Sequence, residues 1–107
     1  MDQDNLYFLK ISGTVSAPKQ HEFVQTVQFV FNHISTDCII HNLALDVHTA
    51  ELFHLYSVWK TDVSLYTFKC SHGFELIKGA FQTLGSYKDA LSGRQVDIQL
   101  FKLNLDN

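Results

Sequence analysis

An α+β domain, with helices over one antiparallel sheet, is the fold class this sequence predicts, and three observations predict it. Period-two and helix-period apolar segments follow one another in the order β-α-β-β-α-β. The stretch from Phe53 to Leu65 changes period midway, with strand alternation up to Trp59 and helical spacing after Thr61 or Asp62, either of which can cap a helix. Apolar residues make up 46% and charged residues 18% of the 107, with nine Phe and one Pro, which is the composition of one folded domain.

The first strand is expected over residues 6–14, rich in aromatic and β-branched types and turning polar at Ser12 and Gly13. Ser16 can cap a first helix with Pro18 in its first turn, and Phe23, Val27, Val30, Phe31 and Ile34 carry the helical period through about residue 34. Val24 and Phe29 widen that apolar face, so a helix covered on more than one side is expected. Residues 38–46 and 52–60 read as the second and third strands around a turn centred near Thr49. That centre pairs His41 with Ser57, Asn42 with Tyr56 and Ala44 with His54.

A second helical region runs from Asp62 to Leu84 with a break at Ser71-His72-Gly73, and Gly85 suits the residue that ends it. Ser86–Arg94 is polar and reads as a connection with a short helical turn at Lys88–Leu91. Gln95–Leu103 alternates strictly and reads as the last strand.

Alternation places Ile39, His41, Leu43, Leu45, Phe53, Leu55, Ser57 and Trp59 on one sheet face, and Ile40, Asn42, Ala44, Leu52, His54, Tyr56 and Val58 on the other. Both faces are largely apolar. Helices can cover only one of them here, so a homodimer through the other sheet face is expected.

A net charge of −3 with scattered Lys and Arg offers no footprint for nucleic acid or an anionic membrane, and no apolar run is long enough to span a bilayer. A cytoplasmic location is the matching expectation, with Cys38 and Cys70 as reduced, partly buried thiols. The six histidines form no HxH or HExxH pattern, so no metal site is expected. A glycine-rich phosphate loop and a nucleophile elbow are both lacking.

Over residues 6–103 the chain resembles the antibiotic-biosynthesis-monooxygenase-like family of ferredoxin-like, dimeric α+β barrels. The resemblance rests on a third strand ending in Trp59 before a helix start, on Phe74 near the second-helix break, and on the strand led by Cys38 after Asp37. It departs at Ser57, where members commonly carry glutamate, and at Phe68, where many carry histidine. The haem-degrading branch needs an Asn on the first strand and a Trp and a His on the second helix, at the helix positions where Phe68 and Lys78 stand here. The resemblance therefore implies the branch that oxidises aromatic or quinol-like molecules with oxygen and no cofactor. A non-catalytic binding or stress-associated dimer, having lost the polar site, is the alternative.

Such oxygenation needs a base, a water-poor cavity and donors for an oxyanion. His41 is the candidate base, opposite Ser57 and near Trp59. Trp59, Ser57, Phe68 and His72 are the candidate ligand-binding residues for a small apolar or aromatic molecule, with His72 at the pocket mouth. Asn42, His54 and Tyr56 form a candidate polar patch at the subunit interface.

Overall fold

The computed structural model describes residues 5–34 and 37–96. Its elements are β1 (Tyr7–Val15), a 3₁₀ turn (Ala17–Lys19), α1 (Gln20–Phe31), β2 (Cys38–Leu45), β3 (Leu52–Trp59), α2 (Asp62–Lys69), α3 (His72–Leu84) and β4 (Gly85–Arg94). The strands form one antiparallel sheet in the order β2-β3-β1-β4. Because α1 carries the chain from β1 past β3 to β2, this is the split β-α-β arrangement of ferredoxin-like folds.

The β2–β3 register pairs His41 with Ser57, Asn42 with Tyr56 and Ala44 with His54, as the turn centre implies. A bulge between Cys38 and Ile40 then shifts the register, so Cys38 lies opposite Trp59. In β1, Leu9, Ile11 and Val15 bury themselves under the helices together with Phe53, Leu55 and Trp59 of β3. From the helices come Phe23, Val27, Val30, Leu65, Phe68, Ile77 and Phe81.

The long second helical region does break. Thr61 caps α2 through a reciprocal pair with Ser64, and Ser71 restarts the chain as the cap of α3, accepting from the Phe74 N–H at 3.2 Å. The same Ser71 hydroxyl donates to the Phe68 carbonyl at 2.6 Å, which seals the end of α2.

Expectations about two elements, β4 and α1, are corrected. Residues 85–94, read as a polar connection with a helical turn, form β4. As an edge strand, β4 keeps only Tyr87, Ala90 and Gly93 half-buried, so its alternation is written almost entirely in polar residues. Most of the strand expected at 95–103 lies outside the described residues; Gln95 and Val96 follow β4 as irregular chain, with the Gln95 N–H on the Leu6 carbonyl at 2.7 Å. Gly85 ends α3 in an extended conformation, φ −175°, because it already begins β4. A Cβ there would overlap the Thr14 carbonyl oxygen across the strand pair, so close approach fixes the glycine. Helix α1 is covered on one side only, leaving Phe29 55% exposed.

Cys38 is half-buried and Cys70 exposed, both as free thiols, so Cys70 is not the buried thiol its apolar neighbours implied. Burial pushes the Cys38 thiol pKa up, partly offset by hydrogen bonding with the Ile40 and Val58 backbone. Among the described residues no helix is long and apolar enough to cross a membrane.

Candidate functional site

The helical layer has a hollow at one end. A cavity of about 520 Å³ opens between the C-terminal end of α1, helix α2 and the first turn of α3, with Trp59 at the end of β3 in its wall. It exists because α1 stops at Phe31 and α2 breaks at Cys70, so neither helix continues across the end of the sheet. Trp59 and Phe68 stack with centroids 4.8 Å apart and planes 28° apart, and Phe74 meets Phe68 edge-on at 6.1 Å. Phe29, Val30, Ile34, Val63 and Leu76 complete an apolar wall.

Trp59 is 2% exposed, so its ring closes the cavity rather than projecting into it. Its indole N–H donates to Ser57 Oγ at 2.9 Å, and the Ser57 hydroxyl donates to the Leu9 carbonyl at 3.4 Å. A buried indole N–H needs an acceptor, and the residue two places earlier on the same strand face supplies it. Ser57, at 1% exposed, is therefore the support of Trp59 and does not line the cavity.

Of the other candidates, Phe68 and His72 do line it. His41 does not. Its ring is stacked on Phe31 at 4.6 Å and 15°, over a separate hollow of about 490 Å³ between α1 and strand β2, with Gln28, Asn32 and Leu43. The register places His41 opposite Ser57, as expected, but β2 is the sheet edge, and there His41 is exposed against Phe31 of α1, away from the Trp59 cavity.

The polar groups of the cavity divide into two sets. Thr61, Ser64 and Ser71 are engaged in helix caps: Thr61 Oγ1 accepts from the Ser64 N–H at 3.0 Å, and Ser64 Oγ donates to the Thr61 carbonyl at 2.9 Å. His33, Thr67 and His72 remain, with Asp37 also on the wall. Only sequence spacing could have pointed to His33, which stands four residues after Phe29 where the helical period runs out.

On the opposite sheet face, Phe8 and Tyr56 stack at 5.8 Å, and the Tyr56 hydroxyl donates to Gln95 Oε1 at 2.7 Å. His54 joins a chain: its Nδ1 meets Ser12 Oγ and its Nε2 donates to Asp46 Oδ1, both at 2.9 Å. That hydrogen bond, with backbone N–H bonds from Thr49 and His48, holds the Asp46 carboxyl down at about 2. Ser12 is buried and lines neither hollow, so this Ser-His-Asp row ties β1, β3 and the β2–β3 turn together and presents no accessible nucleophile. Asn42 is exposed beside Tyr56 across the strand pair, so all three residues expected in a polar patch share this face. Among the described residues no three metal-ligating side chains come together.

No protein-family model matches the chain, and no curated protein matches it either. Solved structures do match in fold. A conserved protein from Methanosarcina mazei Go1 superposes with a TM-score of 0.67 at 16% identity, over 86% of this chain and 92% of that one. Two proteins named "putative antibiotic biosynthesis monooxygenase" match similarly. The one from Caulobacter crescentus CB15 has a TM-score of 0.69 at 10% identity, over 88% of this chain and 92% of its own. The one from Nitrosomonas europaea has a TM-score of 0.65 at 11% identity, over 92% and 95%. The chain is thus a ferredoxin-like α+β domain with a hydrophobic pocket between helices and sheet. Its fold is the one those monooxygenase-named proteins have.

Proposed function

We propose that this protein binds a small aromatic or quinol-like molecule in the cavity beside Trp59 and oxidises it with dioxygen without a cofactor. The observation that carries the reading is the Trp59–Phe68 stack at 4.8 Å in the wall of a cavity of about 520 Å³. A volume of that order suits a flat molecule of two or three rings. The fold shared with proteins named as monooxygenases supports the reaction class.

The chemistry balances without a metal. Removal of a proton from a hydroxyl or an activated CH₂ group leaves an electron-rich anion that passes electrons to O₂. In a CH₂-to-ketone conversion one oxygen atom becomes the carbonyl and the other leaves as water. The protein's part is to supply a base, to exclude water and to hold the ring flat. The apolar wall and the aromatic stack serve the last two.

The working unit in this reading is a homodimer closed through the sheet face that carries Phe8, Tyr56 and Leu91. Ile40 and Leu91 are large exposed apolar side chains on that face, and among the described residues no helix covers it. Light scattering should then give about twice the 12.3 kDa chain mass; a stable monomer at micromolar concentration removes the dimer. For the reaction, oxygen uptake with anthrone- and quinol-type compounds should require the protein and persist with a chelator present. Saturable binding with no oxygen uptake for any of them would leave a ligand-binding protein and remove the oxygenase.

A further inference from the structure

We infer that His33, through its Nε2 atom, takes up the hydroxyl of a phenolic ligand in the Trp59 cavity and is the base of the proposed reaction. The inference rests on the reading of that cavity as the ligand site. It begins with a tautomer. His33 Nδ1 lies 2.7 Å from the Phe29 carbonyl oxygen, one helical turn back. A carbonyl only accepts, so Nδ1 carries the proton and the neutral ring presents Nε2 as a bare acceptor. The ring is further held by its contact with Phe29, centroids 4.5 Å apart. With Nδ1 turned to its own helix, Nε2 lies on the far side of the ring, and His33 is part of the cavity wall.

Comparison with the hydroxyl groups and the other imidazole of the wall leads to the same atom. The Thr61, Ser64 and Ser71 hydroxyls are engaged in capping α2 and α3. Thr67 and His72 have no hydrogen-bond partner among the described residues, but neither is fixed in orientation. His33 alone among these combines a bare acceptor with a ring anchored at its other nitrogen. Such anchoring is what orients a general base. The other titratable groups on the wall are Asp37 and His72; α1 itself adds none there, and α2 contributes only neutral side chains.

The step is a proton transfer. The ligand O–H bond breaks, its electron pair stays on oxygen as phenolate, and the proton forms Nε2–H. The Nδ1–H bond to the Phe29 carbonyl persists in both states, so the ring need not turn. The oxidant of the later step is dioxygen.

The test compares 2-naphthol with its methyl ether, which has nearly the same shape but no proton to give. Binding is read by quenching of Trp59, the only tryptophan. The naphthol should bind roughly three- to tenfold more tightly than the ether, the range one hydrogen bond supplies. His33→Asn should erase that preference while both compounds still bind, and His72→Ala should keep it. Long-range ¹H–¹⁵N spectra of the free protein should show His33 protonated at Nδ1 alone. Equal affinities in the parent protein, or an unchanged preference in His33→Asn, overturn the role of His33. Absence of saturable quenching by either compound removes the cavity as a ligand site, and this inference with it.

Discussion

The two ends of the helical layer are both built from phenylalanine, yet only one is solid. At the first, Phe23 meets Phe81 at 4.4 Å and Phe53 at 5.1 Å, all three rings are buried, and Gly13 of β1 passes directly beneath. A Cβ on Gly13 would come within 2.5 Å of Phe81 Cδ1. At the second, Trp59 and Phe68 are as aromatic and as well buried, but they border open space. The difference lies in helix ends and not in side-chain chemistry. At the solid end the first turn of α1 packs directly on the last turn of α3 through Phe23 and Phe81, while the hollow end is where α1 stops, α2 stops and α3 starts. Interiors are close-packed wherever the chain allows it, so the hollow between three helix termini is the feature on which the proposed ligand site rests.

That contrast can be broken in several ways, beginning with the largest effect. Phe81→Ala removes the centre of the solid end and should cost about 3–5 kcal/mol in urea unfolding, the usual penalty for an enclosed cavity. Phe68→Ala should cost less, about 2 kcal/mol, because the space it vacates joins one that is already open and only the transfer contribution is lost. Equal losses would mean that the two ends are equally closed. Trp59 emission should shift to the red in Phe68→Ala and stay put in Phe81→Ala.

Ser57→Ala leaves a buried indole N–H without its acceptor and should destabilise the fold by about 1–2 kcal/mol. Ligand affinity should hardly change, since Ser57 lies behind Trp59 and not in the cavity. A loss of affinity with unchanged stability would place Ser57 in the site after all.

The smallest effect belongs to the opposite sheet face and sets a control for both ends. The Asp46 carboxyl sits at about 2 in the folded chain against an ordinary 3.8. Its folded value is depressed, so its stabilisation is present above pH 4 and is lost as the pH falls towards 2. Asp46→Asn should flatten the acid limb of the stability profile over that window, measured by unfolding at a series of pH values. Ligand binding in the Trp59 cavity should be untouched.

Much of this fold was legible in the sequence. Strands β2 and β3 stand out as apolar, β-branched and aromatic runs on either side of a turn, and a turn centred at Thr49 then dictates the pairing of His41 with Ser57. Helix α3 and the break before it were equally plain from Phe74, Ile77 and Phe81. Strand β4 was not, because an edge strand under a helix end buries few side chains and so writes no apolar alternation.

The site was half legible. Trp59 and Phe68 stand out as large rings at a strand end and on the next helix, and the structure does bring them together. The sequence could not show that His41 stands away from the Trp59 cavity, because register fixes what lies opposite a residue but not which hollow it borders. His33, the proposed base, was not read from the sequence because the case for it lies in a hydrogen bond to Phe29 and in a cavity formed by helix ends.

The central claim is that the hollow end holds a ligand, and one titration tests it most directly. Thr67 is exposed on the cavity wall, so Thr67→Phe should fill the space from α2 at little cost to the fold. In the parent chain, 2-naphthol should quench Trp59 saturably; in Thr67→Phe, saturable quenching should vanish while the unfolding midpoint stays where it was. Saturable quenching that survives unchanged in the filled variant would contradict the account.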